Sequence, residues 1–245
     1  MFVDTHCHLH DQKFNDLDSV VKAYTDDGVD MVIDMGCDYE SSLIGKDLSE
    51  KYSSVYFGCG FHPSDAYKFT DRDIDKLLSL SKNPKCVAIG EIGLDYYWEP
   101  FDKKVQQSVF IKQLEVAYNA KLPVSIHSRE ATFDMLNLLK EHRSLLAYGA
   151  VMHCYSGSVE TARELMNLGV MIGFGGTVTF KNARKLLEVA EFVPTEYMLT
   201  ETDSPYLAPH PYRGKRNEPK YVSIVTSFLA DLKKEELTCF SGRMF

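Results

Sequence analysis

Eight short apolar runs, each followed by an amphipathic stretch, recur along the whole chain, and this alternation limits the possible folds more than any other feature. Strands are expected at Phe2–Thr5, Val29–Asp34, Val55–Gly60, Cys86–Gly90, Pro123–Ile126, Ala150–Met152, Val170–Phe174 and Tyr197–Glu201. Runs such as Val87-Ala88-Ile89-Gly90 are nearly continuously apolar, as parallel strands covered on both faces require. Between the runs, apolar residues follow helical spacing: Leu17, Val20, Val21 and Tyr24 in the first segment, Ala183, Leu186, Leu187 and Ala190 in the seventh, and Tyr221, Ile224, Val225 and Phe228 in the last. Asp38 or Tyr39 should open the second helix, with Asp71, Asp102 and Ser158 at or near the starts of the third, fourth and sixth. Eight β–α units predict an α/β fold, a (β/α)8 TIM barrel. With no linker or low-complexity tract in 245 residues, residues 1–245 read as one domain.

Composition narrows the chemistry. An apolar fraction of 44% with 25% charged residues excludes disorder. The absence of a long apolar run or a basic-then-apolar leader predicts a cytoplasmic chain without a membrane span and without an obligate protein partner. Six cysteines are scattered singly, which argues against a zinc ribbon or a disulfide framework and for buried thiols. A formal net charge of −8 works against wrapping long duplex, so any nucleic-acid substrate must be gripped locally.

The strongest local signal is Asp4-Thr5-His6-Cys7-His8 at the end of the first strand. Strand alternation turns His6 and His8 to one face and Cys7 to the other. Glu91, His127, His153 and Asp203 lie at the ends of the fourth, fifth, sixth and eighth strands. In a barrel, these six polar groups meet at one mouth. Four imidazoles and two carboxylates exceed the needs of one tetrahedral ion, so one or two divalent metal ions are expected (Zn, Mn, Co, Ni, Fe or Mg), with Glu91 as the bridge. Imidazole-rich ligation favours the transition metals over Mg. The expected reaction is hydrolysis by a metal-activated water, with Asp203 as both ligand and general base.

Asp4-Thr5-His6-Cys7-His8-Leu9, Gly60-Phe61-His62-Pro63, Gly90-Glu91-Ile92-Gly93-Leu94-Asp95-Tyr96, His127-Ser128-Arg129, His153-Cys154-Tyr155-Ser156-Gly157, Glu201-Thr202-Asp203-Ser204-Pro205-Tyr206-Leu207 and Arg213-Gly214-Lys215-Arg216-Asn217-Glu218-Pro219 occur in order over nearly the whole chain. Together they resemble the TatD family of metal-dependent deoxyribonucleases, within the amidohydrolase-like barrels. The resemblance implies hydrolysis of DNA phosphodiesters by a one- or two-ion centre, as an exonuclease working from the 3′ end. Two positions depart from the family pattern: Ser64 stands where a second histidine is common, and Cys239–Phe245 lacks the usual helical ending with its asparagine.

Around the metal positions, His62 is read as a phosphate ligand or a water-orienting group, and Asp95 as a partner that orients a ligand histidine or meets substrate. Arg129 and Arg213 are the expected phosphate grips, the latter accompanied by Tyr212, Lys215 and Arg216. That basic and aromatic loop suits single-stranded DNA ends. The same ligands would serve a deacylase acting on an ester or amide such as a D-aminoacyl-tRNA. A non-catalytic nucleic-acid-binding protein is the third reading, opposed by the intact ligand set and the acidic charge.

Overall fold

Short β-rich runs pair in parallel only where helices cover their outer faces, and this chain supplies a helical cover after each strand. The structure is a computed structural model in which residues 2–244 are described. Its strands are β1 (Phe2–Cys7), β2 (Val29–Met35), β3 (Val55–Cys59), β4 (Cys86–Asp95), β5 (Val124–Arg129), β6 (Ala150–Met152), β7 (Val170–Phe174) and β8 (Met198–Thr200). The helices are α1 (Leu17–Asp26), α2 (Tyr39–Lys51), α3 (Asp71–Leu80), α4 (Lys103–Ala120), α5 (Thr132–Glu141), α6 (Val159–Asn167), α7 (Arg184–Phe192), α8 (Val222–Lys233) and α9 (Leu237–Met244). The strands pair in parallel in strict chain order, giving the (β/α)8 barrel that the alternation predicts.

The seam between first and last strands is closed by residues beyond regular pairing. Asp203 N donates to His6 O at 2.9 Å and His8 N to Ser204 O at 2.7 Å. Below them the buried Asp4 carboxylate accepts from Thr202 N at 2.9 Å and from the Thr202 hydroxyl. Burial pushes the Asp4 carboxyl up to about 8, with the Thr202 hydrogen bonds acting against that rise.

Between strands and helices lies a core that includes Phe57, Ile89, Phe110, Leu114 and Phe174, all fully buried. A smaller cluster of Cys7, Leu9, Val20, Tyr24 and Val32 fills the space under α1. The loop after β8 is held by the buried Asn217, whose Nδ2 donates to Thr202 O at 2.7 Å and to Tyr206 O at 2.6 Å. Asn217→Ala leaves a buried acceptor unmet, so the variant should unfold in urea with about 1–3 kcal/mol less stability. An unchanged midpoint would remove Asn217 as the loop's anchor.

Several expected boundaries shift. β4 runs to Asp95 and β5 to Arg129, so Glu91 and His127 lie inside strands and not after them. Thr70 caps α3, its neighbour Asp71 being the first helical residue, while Asp73 Oδ2 accepts from Thr70 N at 2.8 Å. Asp38, Asp102 and Ser158 do cap α2, α4 and α6 through side-chain hydrogen bonds. The C-terminal segment, despite its departure from the family pattern, forms α9 with Phe240 and Met244 buried. Phe245, the last residue of that departure, lies outside the described residues. Among the described residues no helix is long and apolar enough to cross a membrane. Cys7, Cys59 and Cys86 are buried thiols as expected, Cys37 and Cys154 are half-buried, and Cys239 is exposed.

Candidate metal centre

Alternation along β1 sends Cys7 into the core, with its thiol against Ile33 O, and turns His6 and His8 into the barrel mouth. Each imidazole is fixed by its far nitrogen. His6 Nδ1 lies 3.1 Å from Ser125 Oγ, and His8 Nδ1 lies 2.9 Å from Met35 O. Their Nε2 atoms then face Glu91, and such supporting contacts commonly orient histidines around metals.

Glu91, only 4% exposed, stands at the centre of the site. Its Oε2 lies 3.4 Å from His6 Nε2 and 3.6 Å from His8 Nε2. Its Oε1 lies 2.8 Å from His153 Nε2 and 2.9 Å from His127 Nδ1. The two oxygens of one carboxylate therefore face two different pairs of histidines. Asp203 completes the first set, its Oδ1 at 3.2 Å from His8 Nε2. Its backbone φ of 57° holds it in a left-handed turn just past β8.

The charges are arranged for ionised carboxylates. Burial opposes ionisation of Glu91, but His153, His62 and His127 hold its carboxyl well below the usual range. Burial likewise opposes, and His8 outweighs it, at Asp203, whose carboxyl stays below its ordinary value. Burial pushes His62 down to about 4, against the pull of the Glu91 charge. Ser64 N donates to His62 Nδ1 at 3.2 Å, which leaves the ring's proton on Nε2, 3.6 Å from Glu91 Oε1.

The donor set fits divalent cations. His6 Nε2 faces the Glu91 carboxylate, buried and with no hydrogen-bond partner, an expensive state for an imidazole nitrogen unless a cation takes the lone pair. His6, His8 and Asp203 converge within ligand spacing, as do Glu91, His127 and His153. All six residues expected at the mouth are thus brought together there, with Glu91 between the two sets.

The profile of the family described as "TatD related DNase" matches residues 3–241. The chain belongs to the TatD family. A Bacillus subtilis relative of this TatD chain, the uncharacterized metal-dependent hydrolase YabD, is 42% identical over 96% of the chain and 92% of its own length. The Escherichia coli uncharacterized metal-dependent hydrolase YcfH is 38% identical over 94% and 88%. The solved structure of the Escherichia coli TatD homologue YjjV superposes with a TM-score of 0.93 at 31% identity, covering 99% of this chain and 94% of that one.

Around the TatD centre the remaining expected residues divide. Asp95, 2% exposed, has Oδ2 at 2.9 Å from His127 Nε2, while Oδ1 accepts from Tyr97 N at 2.9 Å and Trp98 N at 3.3 Å. Both oxygens are engaged, one on His127 and the other on the backbone of the turn after β4. Asp95→Asn should lower metal affinity or turnover about 10–100-fold, as loss of such supporting contacts does. Metal titration would check this, and wild-type affinity with wild-type turnover would contradict it.

Arg129 and Arg213 are exposed and make no ion pair among the described residues; each guanidinium lies over an aromatic ring, Tyr97 at 3.7 Å and Phe180 at 4.4 Å. The cluster expected around Arg213 is smaller than its sequence suggests. Arg216 is bound to Asp16 at 2.6 Å and to Glu218 at 3.0 Å, and Tyr212 is stacked on Tyr221 with ring centroids 4.4 Å apart.

Three groups escaped sequence reasoning. Glu201 is fully buried, with Oε1 accepting from Cys154 N and lying 3.6 Å from His153 Nδ1. It lies just past β8, where the backbone leaves regular alternation, so strand spacing did not mark it. His10 pairs with the buried Asp34 at 3.0 Å; burial opposes protonation, but the Asp34 carboxylate raises His10 to about 10. The Cys37 thiol lies 3.8 Å from His8 Nδ1 and 4.0 Å from Glu91 Oε2. Nothing in its local sequence distinguishes it from the other cysteines.

Proposed function

We propose that the chain hydrolyses phosphodiester bonds at the ends of single-stranded DNA, in the manner of a 3′-5′ exonuclease. That it is a metal-dependent hydrolase of the TatD family follows from the match over its length. The choice of bond is our reading. The observation that carries it is the division of Glu91, with one oxygen toward His6 and His8 and the other toward His127 and His153. A carboxylate so shared suits two cations about one reacting centre, the arrangement used for in-line displacement at phosphorus. His6, His8 and Asp203 would hold one ion, His127 and His153 the other, and Glu91 both.

Bound divalent ions supply Lewis acidity, acidifying water and neutralising charge on phosphoryl oxygens. The residues do the rest. Asp203, kept ionised by His8, accepts the proton of the attacking water. His62, neutral with its proton on Nε2, donates a hydrogen bond to a substrate oxygen entering the mouth. Arg129 and Arg213, free of carboxylate partners among the described residues, offer their guanidinium edges to the neighbouring phosphates.

The test is to strip the metal, reconstitute separately with Mg, Mn, Co and Zn, and offer end-labelled single-stranded DNA, RNA and a misacylated tRNA. Mononucleotides released from the DNA 3′ end are expected. Deacylation of the tRNA without DNA cleavage would move the protein to acyl chemistry, and tight DNA binding without turnover under every metal would make it a binding protein. Asp203→Asn should abolish turnover, and full activity in that variant would remove Asp203 from the base role.

A further inference from the structure

We infer that Tyr97, Trp98 and Arg129 form a stacking shelf for unpaired nucleobases beside the metal centre, a subsite that would select single strands and that rests on the DNA reading above. Trp98 is the chain's single tryptophan and is 60% exposed, and Tyr97 beside it is 45% exposed. Adjacent exposed aromatic side chains are a liability on a protein surface unless something covers them.

The pair is held firmly. Its backbone N–H groups are bound by Asp95 Oδ1, and the other oxygen of the same carboxylate holds His127 Nε2. One carboxylate thus ties the backbone of the shelf to a residue of the metal centre. Register adds to this: β4 and β5 pair Asp95 with Arg129, and Tyr96 N donates to Arg129 O at 2.9 Å.

The guanidinium of Arg129 lies 3.7 Å over the Tyr97 ring and 5.3 Å from the Trp98 ring. It has no carboxylate partner among the described residues, although the chain carries 35 acids. Stacking leaves the planar N–H edge free, which is the edge that grips phosphate bidentately. The Tyr97 and Trp98 rings meet at 87° with centroids 4.9 Å apart, an edge contact that does not bury both faces of the indole. A flat exposed ring beside a free guanidinium matches a nucleotide, which presents a flat base beside an anionic phosphate. Arg213 over Phe180 repeats the cation-on-ring construction on the loops after β7 and β8.

Because Trp98 is the only tryptophan, its fluorescence reports on the shelf directly. Protein loaded with Mn²⁺ is titrated with a thymidine tetranucleotide carrying slowly hydrolysed phosphorothioate links, and with an abasic strand of equal length and charge. Saturable quenching by the thymidine strand, much weaker with the abasic one, is expected. In steady-state assays on phosphodiester-linked strands, Trp98→Leu should raise KM for the thymidine strand about 5- to 150-fold, the range for loss of one base stack. It should narrow the preference for thymidine over abasic strand by the same factor. Arg129→Gln should reduce the salt slope of binding by about one.

DNA cleavage with no quenching and an unchanged preference in Trp98→Leu overturns the shelf and leaves the nuclease reading standing. Base-dependent quenching without cleavage under any metal supports the shelf and overturns the nuclease reading. Absence of both overturns both. Quenching that depends on protein concentration alone identifies the patch as a contact between copies of the chain and overturns the shelf.

Discussion

Glu91→Gln is expected to reduce kcat by about three orders of magnitude while the barrel remains folded. Lewis-acid stabilisation is worth several kcal/mol, and each tenfold of rate corresponds to about 1.36 kcal/mol. The substitution is nearly isosteric but removes the charge that draws two pairs of imidazoles together. It also turns a hydrogen-bond donor toward one of those pairs, where the carboxylate offered only acceptors. Metal content should fall with activity, measured by elemental analysis after dialysis, while circular dichroism stays at the wild-type signal. A Glu91→Gln variant that kept its metal and more than about a tenth of its turnover, less than the 1.36 kcal/mol of one decade, would show that Glu91 is a bystander.

The second large effect is expected from Gly93→Ala. Gly93 has φ +148°, and a Cβ there would sit 2.0 Å from His127 O, 2.9 Å from His127 C and 3.0 Å from His127 N. Those atoms belong to the facing strand, because β4 and β5 pair Gly93 with His127, so no side-chain rotation relieves the overlap. Strained backbone and overpacking contribute roughly 1–3 kcal/mol each, which predicts a loss of about 2–6 kcal/mol in urea unfolding. Gly28→Ala is the natural control. Gly28 has φ +78° with nothing within 4 Å of an added Cβ, so it carries the backbone part alone. Equal losses in the two variants would refute the steric account.

The barrel was legible because its signal is distributed: each β–α unit repeats the same periodicity, and one misjudged boundary does not disturb the others. The boundaries that moved did so for a chemical reason. β4 was expected to stop at Gly90 because Glu91 and Asp95 interrupt an apolar run, yet both are buried and continue the strand as its functional face. Six strand-end residues could be brought together from sequence since barrel topology alone makes strand ends converge. Contacts between remote polar side chains had no such guide. Arg216 reads as a free cation until Asp16, 200 positions earlier, is found beside it. Trp98 reads as the last of three successive aromatics until its backbone N–H is found on the Asp95 carboxylate and its ring near the Arg129 guanidinium.

The seam of the barrel has a consequence for how the protein matures. His6 and His8 are made long before Asp203, yet the backbone bonds that join the ends of the sheet are those between these same segments. Closing the ring therefore also brings Asp203 to His6 and His8. A nascent chain can display its first histidines for most of the barrel's synthesis without owning a working hydrolytic centre. The clasp that shuts the cylinder is thus built from the same two segments that would hold the first cation.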